Sequence, residues 1–276
     1  KMLIALNQEM ERFLVTGMEG ASAPYVAAFA SASGAKVFGT TRTGGPGNEI
    51  LGKVPCSGCD ITDYAAVEKA LRKTKPDVII HLAGISTLAK SWEDPPLALK
   101  ANALGTANFL EALRRLKSEA RIIIAGSREE YGAVPESRMP IVEEEPLCPV
   151  NPYGVAKAAA DQLGLHYFEK YGVDAIRARL FNQTAPIWPE RFADSGWCRQ
   201  VALIEAGEAK PEIMAGRLDS VRDFTDCRDS ARAYWLLAKK GKAGEAYNIC
   251  SGIPIKMADM LAGILDHNKA EFAPDF

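Results

Sequence analysis

Three histidines and six cysteines are few for a chain of 276 residues, and their spacing removes two common routes to function. His81, His166 and His267 lie far apart in sequence. The one Cys-x-x-Cys pair, Cys56 and Cys59, has no second pair or His cluster to complete a site, so buried thiols are favoured over a metal or redox half-site. Cys148, Cys198, Cys227 and Cys250 are scattered, which builds no disulfide framework and fits a reduced, cytoplasmic setting. No apolar run exceeds strand length, so no membrane span is expected. Charge is balanced as well: 33 Lys+Arg against 35 Asp+Glu leave a net charge of -2, and no nucleic-acid partner is expected. Asn7, Gln8, Glu9 and Glu11 break the opening KMLIALNQEMERF before a signal-peptide core could form, and residues 1–11 read as an N-terminal extension.

What is present is an ordinary globular composition, 47% hydrophobic and 25% charged, arranged as alternating strand-like and helix-like segments. Strands are expected at 12–15, 35–39, 77–83, 121–125 and 175–180, with helices at 25–33, 63–73, 102–117 and 153–170. The runs Val78-Ile79-Ile80 and Ile122-Ile123-Ile124 lack alternation, as strands covered on both faces do. The pattern predicts an α/β fold with a doubly wound parallel sheet. Prolines at 135, 140, 146, 149 and 152 rule out regular helix across that stretch, and loops of this length are usually functional. Beyond residue 181 the alternation breaks down, which suggests a smaller substrate-capping region.

Three local motifs carry chemistry. The first strand runs into Thr16-Gly17-Met18-Glu19-Gly20-Ala21-Ser22-Ala23, a glycine turn opening a helix, where a pyrophosphate can meet unpaired backbone N–H groups; any strand-turn-helix can also carry two glycines. The second strand is followed by Arg42 with no acid beside it, which favours a ribose 2′-phosphate over a free 2′-hydroxyl, the bland alternative being a solvated arginine. Tyr153 and Lys157 stand one helical turn apart on one face; an ammonium near a phenol, with a nicotinamide's positive charge nearby, lowers its pKa and equips it for proton transfer, whereas a surface pair has no such role.

Taken in order, Thr16-Gly17-x-x-Gly20, Asp60-Ile61, His81-Leu82-Ala83-Gly84, Asn102 with Gly105-Thr106, Ser127 ahead of Tyr131-Gly132, and Tyr153-x-x-x-Lys157 resemble the extended short-chain dehydrogenase/reductases acting on nucleotide sugars. The resemblance covers residues 12–265. It implies a Rossmann-like domain over 12–180 and a nucleotide-sugar region over 181–276, with some of the latter returning to the sheet. By this resemblance Thr16, Gly17, Gly20, Arg42, Asp60, Ile61, Leu82, Ala83, Tyr153 and Lys157 bind the cofactor, NADP(H) in preference to NAD(H). Ser127, Tyr153 and Lys157 are implied to be catalytic.

The segments Arg179 to Thr184, Arg222 to Asp226 and Gly244 to Gly252 are most similar to GDP-6-deoxy-4-keto-mannose reductases and their GDP-mannose 4,6-dehydratase relatives. The similarity implies Ser86, Asn182 and Arg222 as substrate-binding residues, with an Arg222-Asp223 ion pair as the structural alternative. It also implies a GDP-linked hexose as substrate and a homodimer. Glu129 occupies the position of the dehydratases' base, but adjacent Arg128 could pair with it and blunt it, which favours reductase. A dehydratase, and a degenerate binder without chemistry, are the alternatives. Ala23, Gly84 and Ala185 depart from the family pattern, and the family's reductases continue beyond the position of Phe276 to another nucleotide-contacting arginine.

Overall fold

The computed structural model describes residues 10–267, so most of the expected N-terminal extension lies outside the described residues. The chain divides into two compact units. One runs to Leu180 and takes up Arg228–Ile249; the other comprises Phe181–Cys227 and the chain from Cys250 onward.

The larger unit is built on seven strands: β1 (Arg12–Thr16), β2 (Lys36–Thr41), β3 (Cys56–Gly58), β4 (Val78–His81), β5 (Arg121–Ser127) and β6 (Ala175–Leu180), with Ala246–Ile249 on the outer edge. All pair in parallel, in the order β3-β2-β1-β4-β5-β6 followed by the edge strand. This is a Rossmann-like doubly wound sheet, with the reversal of strand order falling between β1 and β4. The unalternating apolar runs explain its centre: Ile79, Ile80, Ile122 and Ile123 are buried, each side chain contributing about 1.5–3 kcal/mol.

Helices cover the sheet: α1 (Ala23–Ala32), α2 (Tyr64–Thr74), α3 (Leu88–Glu93), α4 (Pro95–Leu99), α5 (Gly105–Leu116) and α6 (Pro152–Tyr171). Expected boundaries hold within a few residues, except that β4 stops at His81 and the helix expected from Asn102 begins with a π turn over Lys100–Leu104. That turn carries the buried Asn102, whose side-chain amide clamps both backbone groups of Ile85 at 2.8 and 3.1 Å. Gly84, where the family pattern has alanine, sits at φ 157° with no room for a Cβ, which would lie 2.3 Å from Asn102 Oδ1.

The second half is more regular than its sequence suggests. In the smaller unit, β7 (Asn182–Thr184), β8 (Val221–Asp226) and the short strand Pro254–Lys256 form a three-stranded sheet ordered Pro254–Lys256, β8, β7. Helix α7 (Ala193–Glu205) and the helix Met257–Asp266 enclose a core of Trp197, Met257 and Leu261. Helix α8 (Cys227–Lys240) leads back into the larger unit. Among the described residues no helix is long and apolar enough to cross a membrane.

Candidate active site

Parallel strands bring their carboxyl ends to one edge, and the expected residues collect there because each follows its own strand. Thr16 ends β1, Arg42 follows β2, Asp60 and Ile61 follow β3, Leu82 and Ala83 follow β4, and Ser127 ends β5.

At the switch between β1 and β4, Thr16 Oγ1 accepts the Ala83 N–H at 3.0 Å and lies 3.0 Å from His81 Nδ1. Gly17 adopts φ 72°, and a Cβ there would stand 2.8 Å from Ala83 Cα, so glycine is required both by conformation and by close approach. The Gly20 N–H closes the turn onto Gly17 O at 2.8 Å. Helix α1 begins at Ala23 with Pro24 in its first turn, no side-chain cap and no acid in that turn, so its leading N–H groups suit an anion. The turn therefore fits a dinucleotide pyrophosphate.

The carboxyl end of β2 holds a group missed in the sequence. Glu19 Oε2 accepts the Arg42 backbone N–H at 3.2 Å, so the turn supplies a carboxylate to the end of β2, which has none of its own. Asp60 Oδ1 accepts the N–H and hydroxyl of Thr62 at 2.9 and 2.8 Å. Those hydrogen bonds, aided by Arg42 and Lys100, lower its pKa. The Ile61 carbonyl accepts from the buried Asn108 amide at 2.8 Å. Ser86 is exposed on the loop after β4.

Ser127, Tyr153 and Lys157 meet at the head of α6. Asn151 caps this helix, accepting the Gly154 N–H at 2.8 Å, and Pro152 occupies the first turn. Gly154 lets the helix approach the preceding turn, since a Cβ would stand 2.4 Å from Glu129 O. The Ser127 hydroxyl stands close enough to the Tyr153 phenol to lower its pKa. Lys157 Nζ donates to Ala125 O at 2.7 Å and lies 5.9 Å from the centroid of the Tyr153 ring. Burial pushes Tyr153 up to about 12, against the lowering by Ser127, while burial pushes Lys157 down to about 8.

Both oxygens of Glu129 are engaged: Arg128 Nη1 donates to Oε1 at 3.0 Å and Asn151 Nδ2 to Oε2 at 2.8 Å. Behind this turn is a buried charge network that sequence reading passed over. Arg179 donates to Asp161 at 2.9 and 3.1 Å and to the Tyr131 hydroxyl at 2.9 Å, and Arg177 donates to Asp161 at 2.9 Å. Glu130 lies against it, its Oε2 3.6 Å from Arg179 Nε.

In the smaller unit Asn182 and Arg222 line one cavity of about 250 Å³, together with Phe192, Asp194, Trp197 and Arg217. Asp223 spends its carboxylate on Ser251 and Gly252, at 2.7 to 2.9 Å. Arg217, held against Asp219 at 2.8 Å, was not anticipated, because nothing in an irregular loop signals its direction. Two guanidiniums, an amide and aromatic walls suit a diphosphate bearing a flat ring.

A doubly wound sheet with a Ser, Tyr and Lys at the carboxyl edge defines a nucleotide-binding oxidoreductase fold of the short-chain type. Residues 14–271 match the GDP-mannose 4,6 dehydratase family, and the chain belongs to it. It is 35% identical over 196 residues to the GDP-6-deoxy-D-mannose reductase of Pseudomonas aeruginosa, a match covering 71% of this chain and 64% of that protein. It is 31% identical over 257 residues to a GDP-mannose 4,6-dehydratase of Vibrio cholerae, covering 88% and 68%. The fold superposes on the RMD structure from Pseudomonas aeruginosa, solved with NADPH, with a TM-score of 0.84 and 30% identity over 96% of this chain and 83% of that one.

Proposed function

We propose that this chain reduces the C4 carbonyl of a GDP-linked 4-keto-6-deoxy-hexose, using NADP(H) in preference to NAD(H). The observation that carries the reading is the meeting of Ser127, Tyr153 and Lys157 beside the glycine turn's edge of the sheet. The first unit is the dinucleotide-binding domain and the second the nucleotide-sugar domain.

The nicotinamide cofactor, when bound, supplies the hydride. Thr16, Gly17 and Gly20 shape its pyrophosphate turn, Leu82 and Ala83 flank it, Asp60 and Ile61 border the adenine, and Arg42 meets the 2′-phosphate. Tyr153 donates a proton to the C4 oxygen as negative charge develops there, and the Ser127 hydroxyl hydrogen-bonds the same oxygen. Lys157 orients the nicotinamide ribose and stabilises the phenolate left on Tyr153. Asn182 and Arg222 hold the diphosphate, joined by Arg217, and Ser86 lines the hexose.

The dehydratase reading keeps one observation: Glu129 is tied through Asn151 to the helix bearing Tyr153, where a C5 base would be needed. Its pairing with Arg128 favours the reductase, since both carboxylate oxygens are already engaged and neither is left open to a C5 proton. Incubation with GDP-mannose and no added reductant separates them: a 4-keto product supports dehydration, none supports reduction. A homodimer is part of the proposal, supported by exposed apolar side chains at Leu97, Leu104, Val155 and Tyr171 on and beside α4–α6. Light scattering at twice the chain mass is the expected outcome. The cytoplasm is the proposed compartment.

A further inference from the structure

Glu130 is an acidic side chain with no exposed surface, and the reaction proposed above gives it no task. Its Oε1 accepts the Ser127 backbone N–H at 2.6 Å, completing a reciprocal cap in which Ser127 Oγ accepts the Glu129 N–H at 3.2 Å. Gly126 makes the fit possible, since a Cβ there would stand 2.5 Å from Oε1. The other oxygen, Oε2, is buried without a hydrogen bond, because the Arg179 Nε proton 3.6 Å away is already given to Asp161.

A buried carboxyl half-satisfied in this way costs stability, and a hydrophobic residue would cap nothing but cost nothing. The charged groups facing it are Arg179 on β6 and Lys157 and Asp161 on α6; Arg177 reaches it only through Asp161, and Arg128 and Glu129 share its turn. Burial, and then the Asp161 charge, push Glu130 up to about 8. Burial pushes Lys157 down to about 8, opposed by Glu130 itself, and Lys157 also faces His81 on β4. Tyr153 feels Glu130 as well, in the direction that keeps its proton on.

We propose that Glu130 is a positioning residue of the catalytic centre: it holds the Ser127 backbone by a hydrogen bond and sets a buried carboxyl against the end of β5, where Lys157 donates to the Ala125 carbonyl. The proposal rests on the reductase reading for its purpose, but its physical content is separate and testable without turnover. Glu130→Gln keeps an oxygen for the Ser127 N–H and removes the ionisable group.

Lys157 is followed by NMR in protein labelled with 13Cε-lysine, its signal assigned by its loss in Lys157→Met. In Glu130→Gln the Lys157 midpoint falls by about one pH unit, a tenfold loss of proton affinity, because the negative charge that favours the ammonium is gone. On a 4-keto sugar, the alkaline limb of kcat moves down with it while KM holds. A residue that merely caps the turn would leave both where they were, and an unchanged Lys157 midpoint overturns the proposal. Should Glu130→Gln fail to fold, joint 13Cε-lysine and 13Cδ-glutamate titration of the unaltered protein decides instead: a second inflection in the Lys157 signal at the Glu130 midpoint supports the proposal, and its absence overturns it. Absence of reductase activity in the unaltered protein would refute the functional reading alone and leave the Lys157 comparison intact.

Discussion

Ser127 at the end of β5 stands against Tyr153 in the first turn of α6, close enough to act on its phenol. Lys157 Nζ lies 5.9 Å from the centroid of the same ring. The arrangement depends on backbone more than on side chains: the Asn151 cap, Pro152 and the bare Gly154 together set the helix against the Glu129 carbonyl.

Tyr153→Phe should lower kcat by about a hundred- to ten-thousand-fold while leaving NADPH affinity nearly unchanged, because the ring stays and only the proton donor is lost. Ser127→Ala should cost about a hundred-fold or more in kcat through the missing donor to the oxygen. Steady-state kinetics with parallel NADPH fluorescence titration checks both.

At the adenosine end two variants should act in opposite directions. Arg42→Ala removes the guanidinium proposed to meet the 2′-phosphate and should weaken NADPH about tenfold or more, with little effect on NADH. Glu19→Gln removes the carboxylate at the Arg42 N–H and should strengthen NADPH relative to NADH. Equal effects of Arg42→Ala on the two cofactors would refute 2′-phosphate recognition.

In the smaller unit, Arg217→Ala and Arg222→Ala should each raise KM for the nucleotide sugar about tenfold while kcat and NADPH affinity hold, since their cavity residues grip the part of the substrate remote from C4. A loss confined to kcat would contradict that assignment.

Asp161→Asn should be among the most destabilising changes in the protein, by about 3–5 kcal/mol, because it leaves Arg177 and Arg179 without their shared counter-ion in the interior. Denaturant unfolding measures it. A shift below about 1 kcal/mol would mean that water or Glu130 compensates the two guanidiniums.

Much of this was legible in the chain itself. Unalternating runs such as Ile122 to Ile124 can only be strands buried on both faces, and parallel topology then carries Thr16, Arg42, Asp60, Ala83 and Ser127 to one edge without further information. What escaped depends on partners distant in sequence. Glu19 reaches Arg42 across 23 residues, Glu130 finds Arg179 on another strand, and Arg217 reaches its cavity from a loop with no period. Burial is likewise invisible in a Tyr-x-x-x-Lys spacing; here it raises the Tyr153 pKa, and the charges of Glu130 and Glu129 raise it further. The strands of the second half are three to six residues long and too short to register as periodicity.

Mixing the purified protein with NADPH and GDP-4-keto-6-deoxy-mannose, and following absorbance at the reduced-cofactor band, tests the proposed reduction itself. One NADPH consumed per keto sugar reduced, with the rate abolished in Tyr153→Phe, is the predicted result. No NADPH consumption, or consumption that survives in Tyr153→Phe, would contradict it.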